Sequence, residues 1–516
     1  MDNALQQLLA PQAYPEEPGP VEFKETHISR IYLTRNHVYK VKKNLNLGFL
    51  DFSSLENRRY FCQEELRLNR RFTSGLYCDV VELRSAGGRL NFCGEGELID
   101  YAVRMRRLPE ERMLNRMIER EATELHDEML RLAHHLDWMF CRAEVRRDPK
   151  LQNAVIVATN SRDNFSQTRS FPESLLCPSA HRVMAAICEQ DLARLQETFR
   201  QREADGMVRD GHGDLHTGNV CMTDPIQVYD CIEFNDQFRI ADVAADLAFL
   251  LMDLDFLGRR GLSDQLLADY LAISEDRNLD LVLPFYKRYR AWVRGKVNGI
   301  LATETDVDKK LRRQSGELAR GYFNLAMGYA LKPTLMLTCG LMGSGKSTLA
   351  KRLAASTGAT LLRSDVVRKE LAGVTSSQPV LSAYQSGIYS LEMTEQTYRE
   401  LAVRTEAILT AGKPVVVDAA FGDSVLRRQF TELGAGLGQQ AWLLHVHCPD
   451  HITLQRLDQR ENDVSDGRPE LFHAQKKGFS PPASAENVIS IDSLREVDYN
   501  VQQILKTVLV TQEGIR

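Results

Sequence analysis

Two short stretches of this 516-residue chain hold residue types at spacings suited to handling phosphate. The first, Gly340-Leu341-Met342-Gly343-Ser344-Gly345-Lys346-Ser347, fits GxxxxGK(S/T) in full. Its glycines let backbone N–H groups curl around a β-phosphate, and the N-terminus of the next helix adds a favourable field. Lys346 is expected to reach the β- and γ-phosphates and Ser347 to hold Mg2+. Gly340, Gly343, Ser344, Gly345 and Thr348 complete this nucleotide-binding set. The second stretch, His212-Gly213-Asp214-Leu215-His216-Thr217-Gly218-Asn219, sets a carboxylate five residues before a carboxamide. Asp214 can receive or orient an acceptor hydroxyl while Asn219 coordinates Mg2+. A strand–turn–strand over 220–230, turning at Thr223-Asp224-Pro225, brings Asp230 back beside Asn219 as a second metal ligand. His212 and His216 read as structural hydrogen-bonding groups, and Asp242 and Asp246 as supports of the loop.

Downstream of the glycine loop, Asp365 ends a strand and Arg368 follows three residues later. That carboxylate could take a proton from an acceptor hydroxyl while Arg368 orients the acceptor; the plainer reading is a helix N-cap. Val415-Val416-Val417-Asp418 is an apolar strand closing on a carboxylate, which suits a Mg2+ or water ligand or an ordinary turn aspartate. Arg456, Arg460 and Arg468 could close over phosphates, or be solvated helix charges.

The elements that must place these groups can be read from pattern. Residues 1–20, rich in Pro and Glu, read as a loose lead-in. Two β-rich runs over 26–43 split at Arg35-Asn36, a helix spans about 54–72, and a strand covers 97–108. Helices at 110–142 and 180–205 flank a polar loop, 160–167. The chain is helical from 240 to about 329, with breaks near 258–261 and Pro284. From 331 strands near 334–339, 359–363, 414–418 and 441–447 alternate with helices, the signature of βαβ units and a parallel sheet. The domain boundary is placed at 330, giving domains 1–330 and 331–516.

Composition narrows the function classes. With 65 basic against 70 acidic residues and net charge −5, a general nucleic-acid or anionic-membrane binder is disfavoured. The most apolar stretch, 243–257, is interrupted by Asp246, Asp253 and Asp255, so no membrane span is expected. Ten cysteines without a CxxC pair read as packing thiols in a reducing compartment, and the N-terminus lacks a secretory pattern. A cytoplasmic location is the expectation. Residues 285–296 carry five bases and no acid, with Arg290 and Arg294 on one helix face. If that face lines an acceptor cleft, the acceptor is anionic; otherwise the helix is solvated or internally paired.

The motif HGDLHxGN, then Tyr229-Asp230-x-x-Glu233 and Ala241-Asp242-Val243-Ala244-Ala245-Asp246, resembles the aminoglycoside phosphotransferase and choline-kinase-like fold. The resemblance implies that 21–108 form a nucleotide-covering lobe. Lys40 would be its phosphate-pairing lysine, with Lys42 as rival on the same strand face, and Glu64 or Glu65 the ion-pair partner. No GxGxxG precedes Lys40, so His27-Ile28-Ser29 must stand in its place. Residues 334–475 resemble the small P-loop kinases, such as gluconate and shikimate kinases, chloramphenicol phosphotransferase and the zeta-toxin-like group. There Asp365 matches the acceptor base. The whole order resembles bacterial fusions of an aminoglycoside phosphotransferase-like domain with a P-loop ATP-binding domain. It implies an α+β two-lobed, protein-kinase-like domain followed by an α/β P-loop domain with a parallel sheet. The expected activity is ATP- and Mg2+-dependent phosphoryl transfer at two sites to small hydroxyl-bearing acceptors, sugar- or nucleotide-like. The alternatives are a nucleotide-binding regulator with one active domain, or a kinase acting on a protein or a nucleic acid end.

Overall fold

The computed structural model describes residues 6–46, 48, 50–146, 152–375, 386–459, 467–483 and 486–514. It divides into two compact units, Met1–Asn160 with Ala193–Arg290, and Ser161–Leu192 with Ala291–Arg516.

The first unit opens with a six-stranded antiparallel sheet. Its strands are β1 (Glu22–Glu25), β2 (Ser29–Leu33), β3 (His37–Lys42), β4 (Tyr77–Ala86), β5 (Arg89–Phe92) and β6 (Glu97–Arg106), in the order β1-β2-β3-β6-β4-β5. The period of two along β3 sorts its side chains. Tyr39 and Val41 pack with Leu8, Tyr14, Tyr32 and Phe92, whereas Val38 packs on the other face with Cys62, Tyr77 and Val103. The expected hairpin is present, its turn closed by the Thr34 N–H donating to His37 O. From residue 6 on, the lead-in is not loose: Leu8 is fully buried and its carbonyl accepts from the Tyr14 hydroxyl at 2.6 Å. Leu8, Ala13 and Tyr14 seat it on the sheet.

The longer helices up to residue 328 are α1 (Leu55–Asn69), α2 (Leu125–Arg142), α3 (Asn153–Thr168), α4 (Pro178–Ala204), α5 (Val243–Phe256), α6 (Arg260–Ile273), α7 (Leu279–Thr303) and α8 (Lys309–Gly328). The Ser54 hydroxyl caps α1 by accepting from the Asn57 N–H. Nearly every residue of α5 is buried, which accounts for the apolar run read at 243–257. Asp242 caps α5 and holds Arg202, which also binds Asp276, so the helix start rests on a buried ionic triad. The polar run 160–167 belongs to a helix, α3, and not to a loop. Its polar side chains are used inside the fold: Asn164 Oδ1 accepts from Lys296 Nζ at 2.6 Å and Thr168 Oγ1 from the Trp292 indole at 3.3 Å. Pro284 lies inside α7 without breaking it.

Between β6 and α5 run four short strands, β7 (Val208–Asp210), β8 (Val220–Cys221), β9 (Gln227–Val228) and β10 (Ile240–Asp242). They form two antiparallel pairs, β7 with β10 and β8 with β9.

The second unit contains five parallel strands, β11 (Leu335–Cys339), β12 (Thr360–Arg363), β13 (Val415–Asp418), β14 (Ala441–His447) and β15 (Val488–Asp492), in the order β12-β13-β11-β14-β15. The first four match the sequence pattern; β15 has no counterpart in it. β11 is wholly buried, as a strand flanked on both sides of a parallel sheet must be. Leu337, Leu362, Leu401, Val417 and Phe421 fill the core on one face. The helices that matter for the site are α9 (Lys346–Thr357), α10 (Ser364–Leu371), α11 (Leu391–Thr410), α12 (Asp450–Asp458) and α13 (Pro469–Gly478).

Candidate active site

In the first unit Lys40 and Lys42 share the β3 face that meets α1, and both end on one carboxylate. Lys40 Nζ binds Glu65 Oε1 at 2.9 Å and also Asp230, while Lys42 Nζ binds Glu65 Oε2 at 2.7 Å and also Glu233. Both lysines therefore carry partners, but only Lys40 touches the expected metal ligand, Asp230. Glu64 is not the ion-pair partner: it bonds Arg67 one turn along α1, at 2.6 Å, on the solvent side. A step of one residue turns a helix by 100°, and the buried stripe of α1 is Arg58, Cys62, Glu65, Leu68 and Asn69.

Two lysines against three carboxylates leave the cluster one negative charge in excess. Burial works against the charge on Lys40, yet Asp230 and Glu65 hold its pKa well above the usual value. Burial likewise works against Glu65 and Asp230, but the lysines win and hold both carboxyls below their usual range. Glu233 goes the other way, raised by burial that Lys42 offsets only in part.

The 212–219 loop is closed by side chains beneath it. Asp246 accepts from the backbone N–H groups of His212 at 2.7 Å and Gly213 at 2.9 Å, and Asp253 from the Thr217 N–H and hydroxyl. His212, fully buried, accepts the Asp214 N–H at Nδ1, which leaves Nε2 to donate to Tyr229 O at 2.9 Å. Burial lowers its pKa, in keeping with that neutral, structural role. Gly213 sits at φ +81°, where a Cβ would come within 2.9 Å of Phe238 O, so only glycine fits. Asn219 Nδ2 donates to Asp214 O at 3.0 Å, and the Asn219 carbonyl accepts from the Tyr229 N–H. These bonds tie Asp214 to Asn219 and Asn219 to Tyr229, the residue before Asp230. Asn219, with Nδ2 so engaged, presents Oδ1 as its remaining acceptor, and the Asp230 side chain is 41% exposed. Asn219 and Asp230 accordingly suit one Mg2+ with phosphate and water oxygens.

Sequence reading picked out Arg290 as a base on a helix face but not its role. Arg290 is buried, and donates to Gly213 O at 2.9 Å and Ala245 O at 3.1 Å. It clamps the 212–219 loop instead of lining an acceptor cleft. Elsewhere in the basic run, Lys287 pairs with Asp255, Arg294 lies over the Tyr322 ring, and Lys296 binds Asn164 and Gln167. The anionic acceptor inferred from that run loses its basis at these four positions.

In the second unit the loop after β11 has the backbone its glycines demand. Gly340, Gly343 and Gly345 lie at φ +145°, +74° and +99°. A Cβ at Gly340 would meet Val446 O at 2.4 Å, and one at Gly343 would meet Leu457 at 2.9 Å. Ser344 Oγ is buried without a hydrogen-bond partner among the described residues, which leaves it able to meet a ligand oxygen. Lys346, first residue of α9, rests its Nζ on Leu341 O at 2.7 Å; Ser347 and Thr348 follow in the first turn. The cradle fits a phosphate, with Ser347 as a Mg2+ ligand. Gln475 on α13 accepts the Met342 N–H at 2.7 Å, a support no motif signals.

Asp418 ends β13 directly across from Arg363 of β12, and the two are 3.3 Å apart; Thr338 also reaches Asp418. The glycine loop is adjacent, since the Gly340 N–H donates to Ala420 O. Asp365 lies in the first turn of α10, whose N-cap is Arg363, so the plain N-cap reading does not hold. Arg368 is buried, donates to Ile388 O and Thr394 Oγ1, and stacks on Tyr389; its Nε has no hydrogen-bond partner among the described residues. Arg456 bonds Ser493 and sits 3.5 Å from where a Gly345 Cβ would stand. Arg468 is the N-cap residue of α13, and Arg460 lies outside the described residues.

A lysine–glutamate–aspartate cluster on an antiparallel lobe, a carboxylate–carboxamide loop and a glycine phosphate cradle define a kinase-type phosphotransferase. Residues 335–482 match the family model described as an AAA domain. Over 469 residues, 90% of this chain and 91% of the relative, the sequence is 29% identical to the uncharacterized protein Rv2004c of Mycobacterium tuberculosis. Among solved structures, a choline/ethanolamine kinase family protein from Mesorhizobium loti is similar at 13% identity and TM-score 0.38, over 66% of this chain and 93% of that one. A gluconokinase from Sinorhizobium meliloti is similar at 17% identity and TM-score 0.27, over 36% of this chain and 95% of its own.

Proposed function

We propose that the chain is a bifunctional, ATP- and Mg2+-dependent phosphotransferase with one nucleotide site in 1–330 and another in 331–516. The acceptors are small hydroxyl compounds, sugar- or nucleotide-like. The observation that carries the reading is the junction at Asp230: it joins Lys40, itself set by Glu65, to the closed loop bearing Asp214 and Asn219. At that site Lys40 orients phosphate, Asn219 and Asp230 hold Mg2+, and Asp214 takes the acceptor proton. At the second site Lys346 and the loop amides bind phosphate, with Arg456 beside them. Ser347 and Asp418 hold Mg2+, Asp365 takes the proton and Arg368 orients the acceptor. The metal neutralises charge on the transferred group, and the protein contributes position and preorganised dipoles.

Ten free thiols and the absence, among described residues, of a helix able to cross a membrane support a cytoplasmic setting. The test is ATP consumption, with a metabolite extract supplying acceptors, in Asp214→Ala, Lys346→Ala and the double variant. Two separate partial losses that combine in the double variant are expected. Loss in one variant alone reduces the chain to one active site, and loss in neither overturns the assignments.

A further inference from the structure

The first site holds one cation that the reaction above does not use. The Lys42 side chain is 0% exposed, against 9% for Lys40 and 41% for Asp230. Its ammonium lies between Glu65 and Glu233, with the Phe52 ring 4.8 Å away. The five groups alternate in sign, Asp230–Lys40–Glu65–Lys42–Glu233, from a half-exposed end to a closed one. Lys42 is at the closed end, so pairing with phosphate is not its work.

Its role follows from the exchange that nucleotide binding requires. Lys40 must turn from Asp230 toward phosphate while Asp230 turns to Mg2+. If Lys40 were the only partner of Glu65, that turn would leave a fully buried carboxylate uncompensated, and Glu65 would follow Lys40 or take up a proton. With Oε2 held by Lys42, Glu65 keeps a counter-ion and stays in place, leaving Oε1 to fix the direction of Lys40. Glu233 pins Lys42 in turn and lies three residues past Asp230. Strand β3, helix α1 and the Asp230 turn are thereby tied without passing through Lys40. Asp230 itself is held at φ +64° and its N–H donates to the Tyr77 hydroxyl, so the turn is fixed from two sides.

We infer that Lys42 is a positioning residue for phosphate recognition, acting through Glu65. This rests on the first unit's being a nucleotide site.

The test uses the full chain carrying Lys346→Ala, with Mg·ATP and adenosine as probes in equilibrium binding. Lys42→Met is expected to weaken Mg·ATP about tenfold and adenosine less than about twofold, and to add nothing in a Glu65→Gln background. Lys42→Arg, which keeps the charge, should recover most of the affinity. Should Lys42→Met fail to fold, Lys42→Met with Glu233→Gln removes one charge of each sign and carries the same expectation. Equal weakening of both probes, losses that multiply with Glu65→Gln, or unchanged Mg·ATP affinity would overturn the inference. Lys40→Ala and Asp230→Ala separate the two readings. If they leave Mg·ATP binding intact, the nucleotide site itself falls; if they weaken it while Lys42→Met does not, only the positioning role falls.

Discussion

At 340–347 phosphate is met mainly by backbone: three glycines at positive φ, a helix N-terminus and one lysine, all within eight consecutive residues. At the site proposed in the first unit it would be met by side chains drawn from residues 40, 65, 214, 219 and 230, which four separate segments must bring together. The first design depends on local conformation and on the absence of Cβ atoms. The second depends on buried charges that must be balanced as a set. A backbone cradle therefore tolerates change around it and fails when its own glycines or lysine change. An ionic cluster is sensitive to every member and to the order of its partners.

The largest expected effect tests whether the two designs work independently. Asp214→Ala and Lys346→Ala should each lower turnover at their own site by about 10²–10⁴-fold. Isotope transfer to separated acceptors, one per site, would check it. A loss at both sites from either single change would mean one composite centre and would remove the contrast. Next comes Gly213→Ala. A Cβ 2.9 Å from Phe238 O at φ +81° should destabilise the first unit by roughly 1–3 kcal/mol and displace Asp214. At Gly345, also at positive φ (+99°) but with its nearest atoms 3.3 Å away, the same change brings backbone strain without the close clash and should in addition weaken nucleotide affinity. Urea denaturation beside Mg·ATP titration distinguishes the two outcomes.

A contrast of about ten- to a hundredfold is expected between neighbouring glutamates. Glu65→Gln should weaken Mg·ATP by that factor, whereas Glu64→Gln, which removes only a surface pair with Arg67, should change it less than about twofold. The same pair shows where sequence reading stops. The P-loop, the parallel sheet and the 212–219 loop were legible because their signals are local: fixed glycines, apolar strands and a spaced carboxylate and carboxamide. The α1 stripe was not, because three of its five buried positions, Arg58, Cys62, Glu65, Leu68 and Asn69, are polar. The helix itself was read from its pattern, but an inward face that is mostly polar does not say which of two adjacent glutamates it holds, and in α3 the same polarity hid the helix altogether. Arg290 was legible as a base on a helix face, but its direction is set by Gly213 O and Ala245 O, carbonyls that sequence alone cannot place beside it.

The smallest effect concerns acid. Lys40 and Lys42 hold Glu65 and Asp230 below their ordinary range. Their contribution to stability is present above the unfolded pKa, about 4 for such groups, and is lost as pH falls through the lowered folded values. Glu233, raised by burial, has the opposite sign. Between its unfolded and folded pKa the native state holds the extra proton, so stability falls there as pH rises. Glu233→Gln should therefore stabilise the first unit at neutral pH relative to the parent, with the gain vanishing at low pH and the acid limb from Glu65 and Asp230 unchanged. Urea-dependent proteolysis within 37–69, followed from pH 3 to 7, measures it. A gain that persists below the carboxylate range would mean that packing, not charge, is responsible. The ionic site would then be held together more like the backbone cradle than the charge pattern implies.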